Sequence, residues 1–182
     1  MSEGVYFWRE IDPELGWLSQ WYYCPFRDDE EPDRIYPTAE HYMMYQKAIL
    51  FDDKEVGEEI LAADHPRKVK ALGRKVKNFS DKKWEHNREK IVRKGNILKF
   101  TNAVTEEGFG KGTTEDCSPI EGSLKEMLLA TGDKELVEAS PLDRIWGVGF
   151  GPKNAPAKRD KWGKNLLGKA LMEVRETLRE QK

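Results

Sequence analysis

The sequence predicts a helix-rich α+β fold with a few short strands, in one compact domain over residues 1–182. Three observations carry this. The length is that of a single domain. Long stretches free of helix breakers, several of them opened by a capping residue, carry apolar residues at helical spacing. The extended runs of β-branched and aromatic residues between them are short. No internal repeat is visible.

Taken in order, Val5–Arg9 and Trp17–Tyr23 read as strands, with Pro25 ending the second. The aromatic-dense Trp17–Tyr23 run suits a buried strand. The acidic stretch 28–33, with Pro32, is a surface turn. Arg34-Ile35-Tyr36 is a short strand feeding a helix from Ala39 to Phe51, with Thr38 as its N-cap and Pro37 blocking backward extension. Asp52 and Asp53 can cap a second helix, Lys54–Ala62. Pro66 suits the first turn of a third, about Arg67–Val76. That third helix is rich in Lys and Arg, which form a solvated face, a phosphate-facing side, or both, since only one or two of them need reach a ligand.

Ser80 opens the longest helix, about Asp81–Phe100. Trp84, Ile91, Ile97, Leu98 and Phe100 form its apolar side, and Gly95 is a possible kink. Glu85 and Glu89 are spaced to pair with Arg88 and Arg93. Residues 102–121 are glycine-rich and read as a flexible insertion that closes over a site, without the spacing of a phosphate loop. A helix Ser123–Thr131 stops at Gly132. Glu135–Ala139 reads as a strand. So does Asp143–Gly151, where Gly147, Gly149 and Gly151 leave one face bare for a ligand or another backbone. Trp162–Asn165 leads into a last amphipathic helix, Leu166–Gln181.

Composition narrows the function. A net charge of −2 supplies no global basic field for nucleic acid. No apolar run has the length of a membrane span, and the first residues lack a signal pattern. Cys24 and Cys117 are far apart, without metal-type spacing, and suit reduced thiols in the cytoplasm or nucleus, with a single disulfide as the alternative. His41, His65 and His86 form no zinc-type pair. Six Trp residues suit either a core or a site that stacks a ring.

The chemistry points to the helix after Thr38. Glu40 and Lys47 are seven residues apart and fall on nearly one face, with Met43 and Met44 on or near it. The helical neighbours of Lys47 are Met43, Met44 and Leu50. This admits two readings: an aliphatic stem packed on Met with its head in water, or a desolvated amine with a lowered pKa, which is a candidate nucleophile.

The stretches Leu18-Ser19-Gln20-Trp21, Tyr36-Pro37-Thr38-Ala39-Glu40-His41-Tyr42-Met43-Met44-Tyr45-Gln46-Lys47-Ala48, Ala71-Leu72-Gly73-Arg74, Gly95-Asn96-Ile97-Leu98-Lys99-Phe100, Leu128-Leu129-Ala130-Thr131-Gly132, Leu136–Gly149 and Gly163-Lys164-Asn165-Leu166-Leu167-Gly168 follow one another in an order and spacing that resembles the NADAR family. That family is associated with NAD and ADP-ribose and takes in the YbiA-type bacterial N-glycosidases. The likeness runs from about Trp17 to Arg179. Two departures stand out: Gln20-Trp21 replaces the family's Asn-Phe, and the glycine-rich loop is longer than in bacterial relatives. Both bear on substrate preference more than on chemistry.

The resemblance implies a compact, helix-rich α+β domain that cleaves N-glycosidic bonds to ribose. Its members act on ADP-ribosylated guanine or on an early riboflavin-pathway intermediate, through a lysine Schiff base and without metal or cofactor. Glu40, Lys47 and Asp143 are the expected catalytic residues. Glu40 protonates the ribose ring oxygen, Lys47 attacks the anomeric carbon, and Asp143 orients ribose or lysine, or else caps the turn after Pro141. Trp84 and Trp146 are expected to stack bases. Arg74 is expected at the pyrophosphate, and Gly147 and Gly149 at close backbone approach to the ligand. Ser19 and Asn96 are expected on ribose or base edges, although a buried Asn is equally a satisfied core amide. Tyr36 is expected at the entrance, with Trp21 and Arg34 as further ligand contacts.

The leading expectation is a monomeric ADP-ribosyl glycohydrolase acting on guanine in DNA, RNA or nucleotide, with ADP-ribose as product. The alternatives are an N-glycosidase on a riboflavin-pathway phosphoriboside, a non-catalytic ADP-ribose reader, and, weakest, a nucleic-acid-binding module.

Overall fold

The computed structural model describes residues 3–104 and 123–181. The expected insertion at 102–121 lies, from residue 105 on, outside the described residues, as does Cys117. The fold is the expected helix-rich α+β domain with few short strands. Its strands are β1 (Gly4–Phe7), β2 (Phe26–Arg27), β3 (Ile35–Tyr36) and β4 (Glu135–Glu138). Its α-helices are α1 (Ala39–Leu50), α2 (Lys54–Ala62), α3 (Pro66–Gly73), α4 (Asp81–Thr101), α5 (Leu124–Ala130) and α6 (Leu166–Glu180). β1 pairs in parallel with β4, Gly4 opposite Glu135, and β2 pairs antiparallel with β3, Phe26 opposite Tyr36.

Local chemistry sets the helix starts. Thr38, Asp53, Ser80 and Ser123 each accept, through a side-chain oxygen, the N–H three residues on. Each bond satisfies a donor that the helix itself leaves free. Pro66 sits in the first turn of α3.

α1 is the centre of the fold. It packs against α2, α3 and α4, while α4 and β4 pack against α6. One glycine on each of three partner helices makes room for an α1 side chain. A Cβ on Gly57 would stand 3.3 Å from the Tyr45 ring, one on Gly73 2.1 Å from Met44 Sδ, and one on Gly95 2.5 Å from the Tyr42 ring. Gly95 therefore lets two helices approach inside an unbroken α4; it is not a kink. The main core joins Phe7, Trp17, Leu18, Phe26 and Tyr36 to the inner faces of these helices. A smaller core under β4 holds Val137, Ala139, Val148 and Ala155.

Two expected strands do not form. Residues 16–18 make a tight 3-10 turn, because Lys99, fully buried on α4, donates from Nζ to the carbonyls of Trp17 and Ser19 at 2.8 and 3.0 Å. Those carbonyls are then lost to any ladder. Residues 143–151 are turns. The carbonyls of Ile145, Trp146 and Gly147 accept the N–H groups of Leu166, Leu167 and Asn165, and so cap α6. The expected pairs of Glu85 with Arg88 and Glu89 with Arg93 do not form either; Arg88 is buried, and Arg93 pairs with Glu173 at 3.1 Å.

Candidate active site

Glu40, Met43, Met44 and Lys47 form one stripe of α1, the first three buried and Lys47 half-buried. The start of the helix is held from several sides. The Glu40 N–H donates to the Gln20 carbonyl at 3.0 Å. The His41 ring spans from Thr38 Oγ1, at 2.7 Å, to the Ala63 carbonyl, at 2.9 Å, which ties α1 to the end of α2.

Burial lifts the Glu40 carboxyl to about 7; Lys70 opposes this, Asp143 adds to it and Lys47 opposes it again. Burial likewise lowers the Lys47 pKa, against the pull of Glu40 and with a smaller push from Arg74. The Lys47 Nζ lies 4.6 Å from the centre of the Phe79 ring and 5.5 Å from that of Trp84. The amine thus rests on an aromatic floor with an acid on its own helix face.

Asp143 fills the turn-capping role and also faces the acid. Its Oδ1 accepts the N–H groups of Ile145 and Trp146 at 2.8 and 2.9 Å. The same carboxylate raises the pKa of both Glu40 and Glu138.

Glu138 escapes the sequence reading. It ends β4, where its N–H donates to Asn165 Oδ1 at 2.9 Å. Its Oε2 is buried and meets no partner among the described residues. Burial pushes this carboxyl up to about 8, with Asp143 and Glu40 adding to the shift and Lys70 opposing it. The available signal was a carboxylate closing a strand whose preceding residues, Leu136 and Val137, are both apolar. Phe79 was also missed, because it sits in the loop before α4 without any motif.

Of the other expected residues, Trp84 and Arg74 come to Lys47, and Trp146 comes to Asp143. Lys70 and Arg74 are the two members of the basic α3 segment that act on the pair. Ser19 is buried and its hydroxyl accepts the Trp21 N–H at 3.1 Å, while Trp21 stands edge-on to His65.

Several expectations are corrected. Tyr36 lines no entrance: it is fully buried and its hydroxyl donates to Asp28 Oδ2 at 2.7 Å. Arg34 stacks on Tyr45 at 4.6 Å, and its charged surroundings are Tyr36, Tyr45 and Glu31, not the Glu40 cluster. Asn96 is fully buried and donates to Gln20 Oε1 and the Val92 carbonyl, as a core amide does, while its Oδ1 meets no partner among the described residues. Gly147 and Gly149 present no bare face: a Cβ on Gly147 would stand 2.8 Å from the Glu138 carbonyl, and Gly149, at φ +82°, is covered by the Arg144 side chain.

Among the described residues, no group of three His, Cys, Asp or Glu side chains is placed to hold a metal ion. No helix there is long and apolar enough to cross a membrane. Two surface hollows, at Ser80–His86 and Ser123–Ala130, include none of the groups above. What the cluster offers is an acid half-protonated near neutrality, an amine with a lowered pKa, and a second buried acid within electrostatic reach.

Residues 6–179 match the model of the NADAR domain family. The chain is 39% identical over 163 residues to N-glycosidase R617 of Acanthamoeba polyphaga mimivirus, covering 87% of this chain and 85% of that one. It is 32% identical over 178 residues to N-glycosidase YbiA of Escherichia coli, covering 98% and 91%. The NMR structure of E. coli YbiA superposes with a TM-score of 0.70 at 29% identity, over 100% of this chain and 88% of that one. The riboflavin biosynthesis protein VVA0006 of Vibrio vulnificus is 31% identical over 180 residues; the match covers 99% of this chain and 40% of that longer protein.

Proposed function

The chain belongs to the NADAR family, and from that premise we propose that it is an N-glycosidase that releases ADP-ribose from guanine carried by DNA, RNA or free nucleotide. The carrying observation is the Glu40–Lys47 stripe: a carboxyl lifted to about 7 on the same helix face as an amine of lowered pKa. The relatives named N-glycosidases support the bond class.

Lysine amine and protonated acid must coexist for the chemistry to start, and the two opposite shifts favour that pair of states. Glu40 gives its proton to the ribose ring oxygen. The C1′–O4′ bond breaks, and the guanine nitrogen lone pair forms an iminium to C1′. The Lys47 amine adds to C1′, and guanine leaves with its bonding pair and a proton from the lysine nitrogen. The remaining lone pair of Lys47 forms the imine. Glu40, now a carboxylate, takes a proton from water as it adds to C1′; lysine departs, and the aldehyde recloses to ADP-ribose. The cations Lys70 and Arg74 suit an anionic substrate, and the Trp84 and Trp146 rings suit its two bases.

A second reading is cleavage of a riboflavin-pathway phosphoriboside, favoured by the name of the Vibrio relative. Only the first substrate requires a second phosphate and a place for adenine. Incubation with ADP-ribosylated guanosine, followed by detection of free ADP-ribose, tests the first reading. Borohydride added during turnover is expected to leave an adduct on Lys47 that Lys47→Ala abolishes. An adduct that survives in that variant, or a wild-type protein that releases no ADP-ribose, overturns the assignment.

A further inference from the structure

Three cations are buried in the described residues: Arg88, Lys99 and Arg175. Two of them are satisfied by the protein. Lys99 donates to two carbonyls, and Arg175 Nη1 donates to Thr131 Oγ1 and the Lys134 carbonyl at 2.9 and 2.8 Å. Arg88 differs. It is 8% exposed, its Nε is buried without a partner, and none of its N–H groups meets an acceptor among the described residues. Glu85, one turn before it and the partner expected from sequence, is exposed and does not pair with it, and Glu89, the next residue, is exposed as well. A buried guanidinium without an anion carries a desolvation cost that no carboxylate among the described residues offsets.

The surroundings of Arg88 say what would offset it. Its guanidinium carbon stands 5.9 Å from the Trp146 ring centre. A ring on one side steadies the cation weakly and leaves the planar fork of N–H groups free. Such a fork matches two oxygens of a phosphate. Arg88 also neighbours two residues tied to the proposed site. Trp84, one turn earlier on α4, sits under Lys47, and the Trp146 N–H is held by Asp143, which acts on Glu40. Arg88 is thus linked through Trp84 to the Lys47 side of the cluster and through Trp146 to its Asp143 side. Arg74, the sequence-based choice for phosphate, is exposed and has no comparable claim.

We propose that Arg88, backed by Trp146, is the phosphate-binding residue of the site, receiving a phosphate ester attached to the substrate ribose. This deepens the reading above and rests on it for the ribosyl phosphate. The phosphate is a monoester or half of a diphosphate; both present the same oxygens, and separate probes distinguish them.

The test is equilibrium binding to the full chain by calorimetry, using ribose 5-phosphate, ADP-ribose and adenosine, so that no catalysis is required. Wild-type protein is expected to bind one or both phosphate probes. Arg88→Met is expected to weaken that binding by roughly 10- to 100-fold, the scale of a charge-assisted hydrogen-bonded contact, and to leave adenosine unchanged. Arg74→Met is expected to have a smaller effect. Loss with ribose 5-phosphate assigns a monoester, and loss with ADP-ribose alone assigns the farther phosphate of a diphosphate. If Arg88→Met does not fold, Arg88→Lys carries the test: it keeps the charge, removes the two-pronged contact, and is expected to weaken the same probes. Unchanged phosphate binding in the folded variant, an equal loss with adenosine, or no phosphate binding by wild type overturns the proposal. Arg88-dependent phosphate binding in a wild-type protein that shows no borohydride adduct would defeat the catalytic reading alone.

Discussion

The Lys47 Nζ lies 4.6 Å from the centre of the Phe79 ring, and Phe79 comes from the loop between α3 and α4. An aromatic face favours the ammonium, and loss of water disfavours it. Here burial is the larger influence, and the Lys47 pKa falls.

Opening that floor is expected to return the amine toward its ordinary pKa. Phe79→Ala should cut kcat/KM about tenfold near neutral pH for each pKa unit regained, and should move the acid limb of the pH–rate profile to higher pH. A profile whose acid limb does not move would assign Phe79 a packing role alone.

Glu40 must be protonated to start the reaction, and its carboxyl titrates at about 7. Activity is therefore expected to fall as pH rises above about 7. Glu40→Gln should lower kcat by about 10²- to 10⁴-fold, the usual scale for a general acid. Steady-state rates between mildly acidic and alkaline pH measure both; an alkaline limb that persists in Glu40→Gln would point to another acid.

Glu40 and Glu138 also link stability to pH. Both folded carboxyls titrate above the ordinary Glu value of 4.5, at about 7 and about 8. The folded state thus holds protons that the unfolded chain releases. The stability from their neutral forms is complete below about pH 4.5 and is lost as pH rises through about 7 and then about 8. Glu138→Gln keeps the shape and removes the ionisation. Its Tm is expected to exceed that of the wild type at pH 9 by several degrees and to match it at pH 5, as thermal melts at the two values would show.

Gly95→Ala sets helix propensity against packing. An Ala inside a helix gains up to about 1 kcal/mol over Gly. The added Cβ, however, would stand 2.5 Å from the buried Tyr42 ring, and overpacking costs about 1–3 kcal/mol. Packing is expected to win, with a net loss in chemical denaturation. A stabilised variant would mean that α1 and α4 can separate at little cost.

The helices were legible because their signals are local. Thr38, Asp53 and Ser80 make the caps expected of them, and Ser123, read as the first residue of its helix, caps it instead. His65, which caps α3 by accepting the Arg67 N–H at 3.0 Å, was not foreseen, since His is an uncommon cap. The strands expected at Trp17–Tyr23 and Asp143–Gly151 failed for a shared reason: their carbonyls are claimed from outside, by Lys99 in one case and by the first N–H groups of α6 in the other. A local pattern carries no record of a partner many residues away.

What the sequence by itself determined is the α1 stripe of Glu40, Met43, Met44 and Lys47, because a cap and a helical period place those four side chains on one side whatever packs there. Only the tertiary structure decided what that stripe faces. It brought Glu138 and Phe79 to the pair, left Arg88 buried without an acceptor among the described residues, and buried Tyr36 and Asn96 completely. The physical reason is that a titrating group answers to the water and charges around it, and those are set by the elements packed opposite.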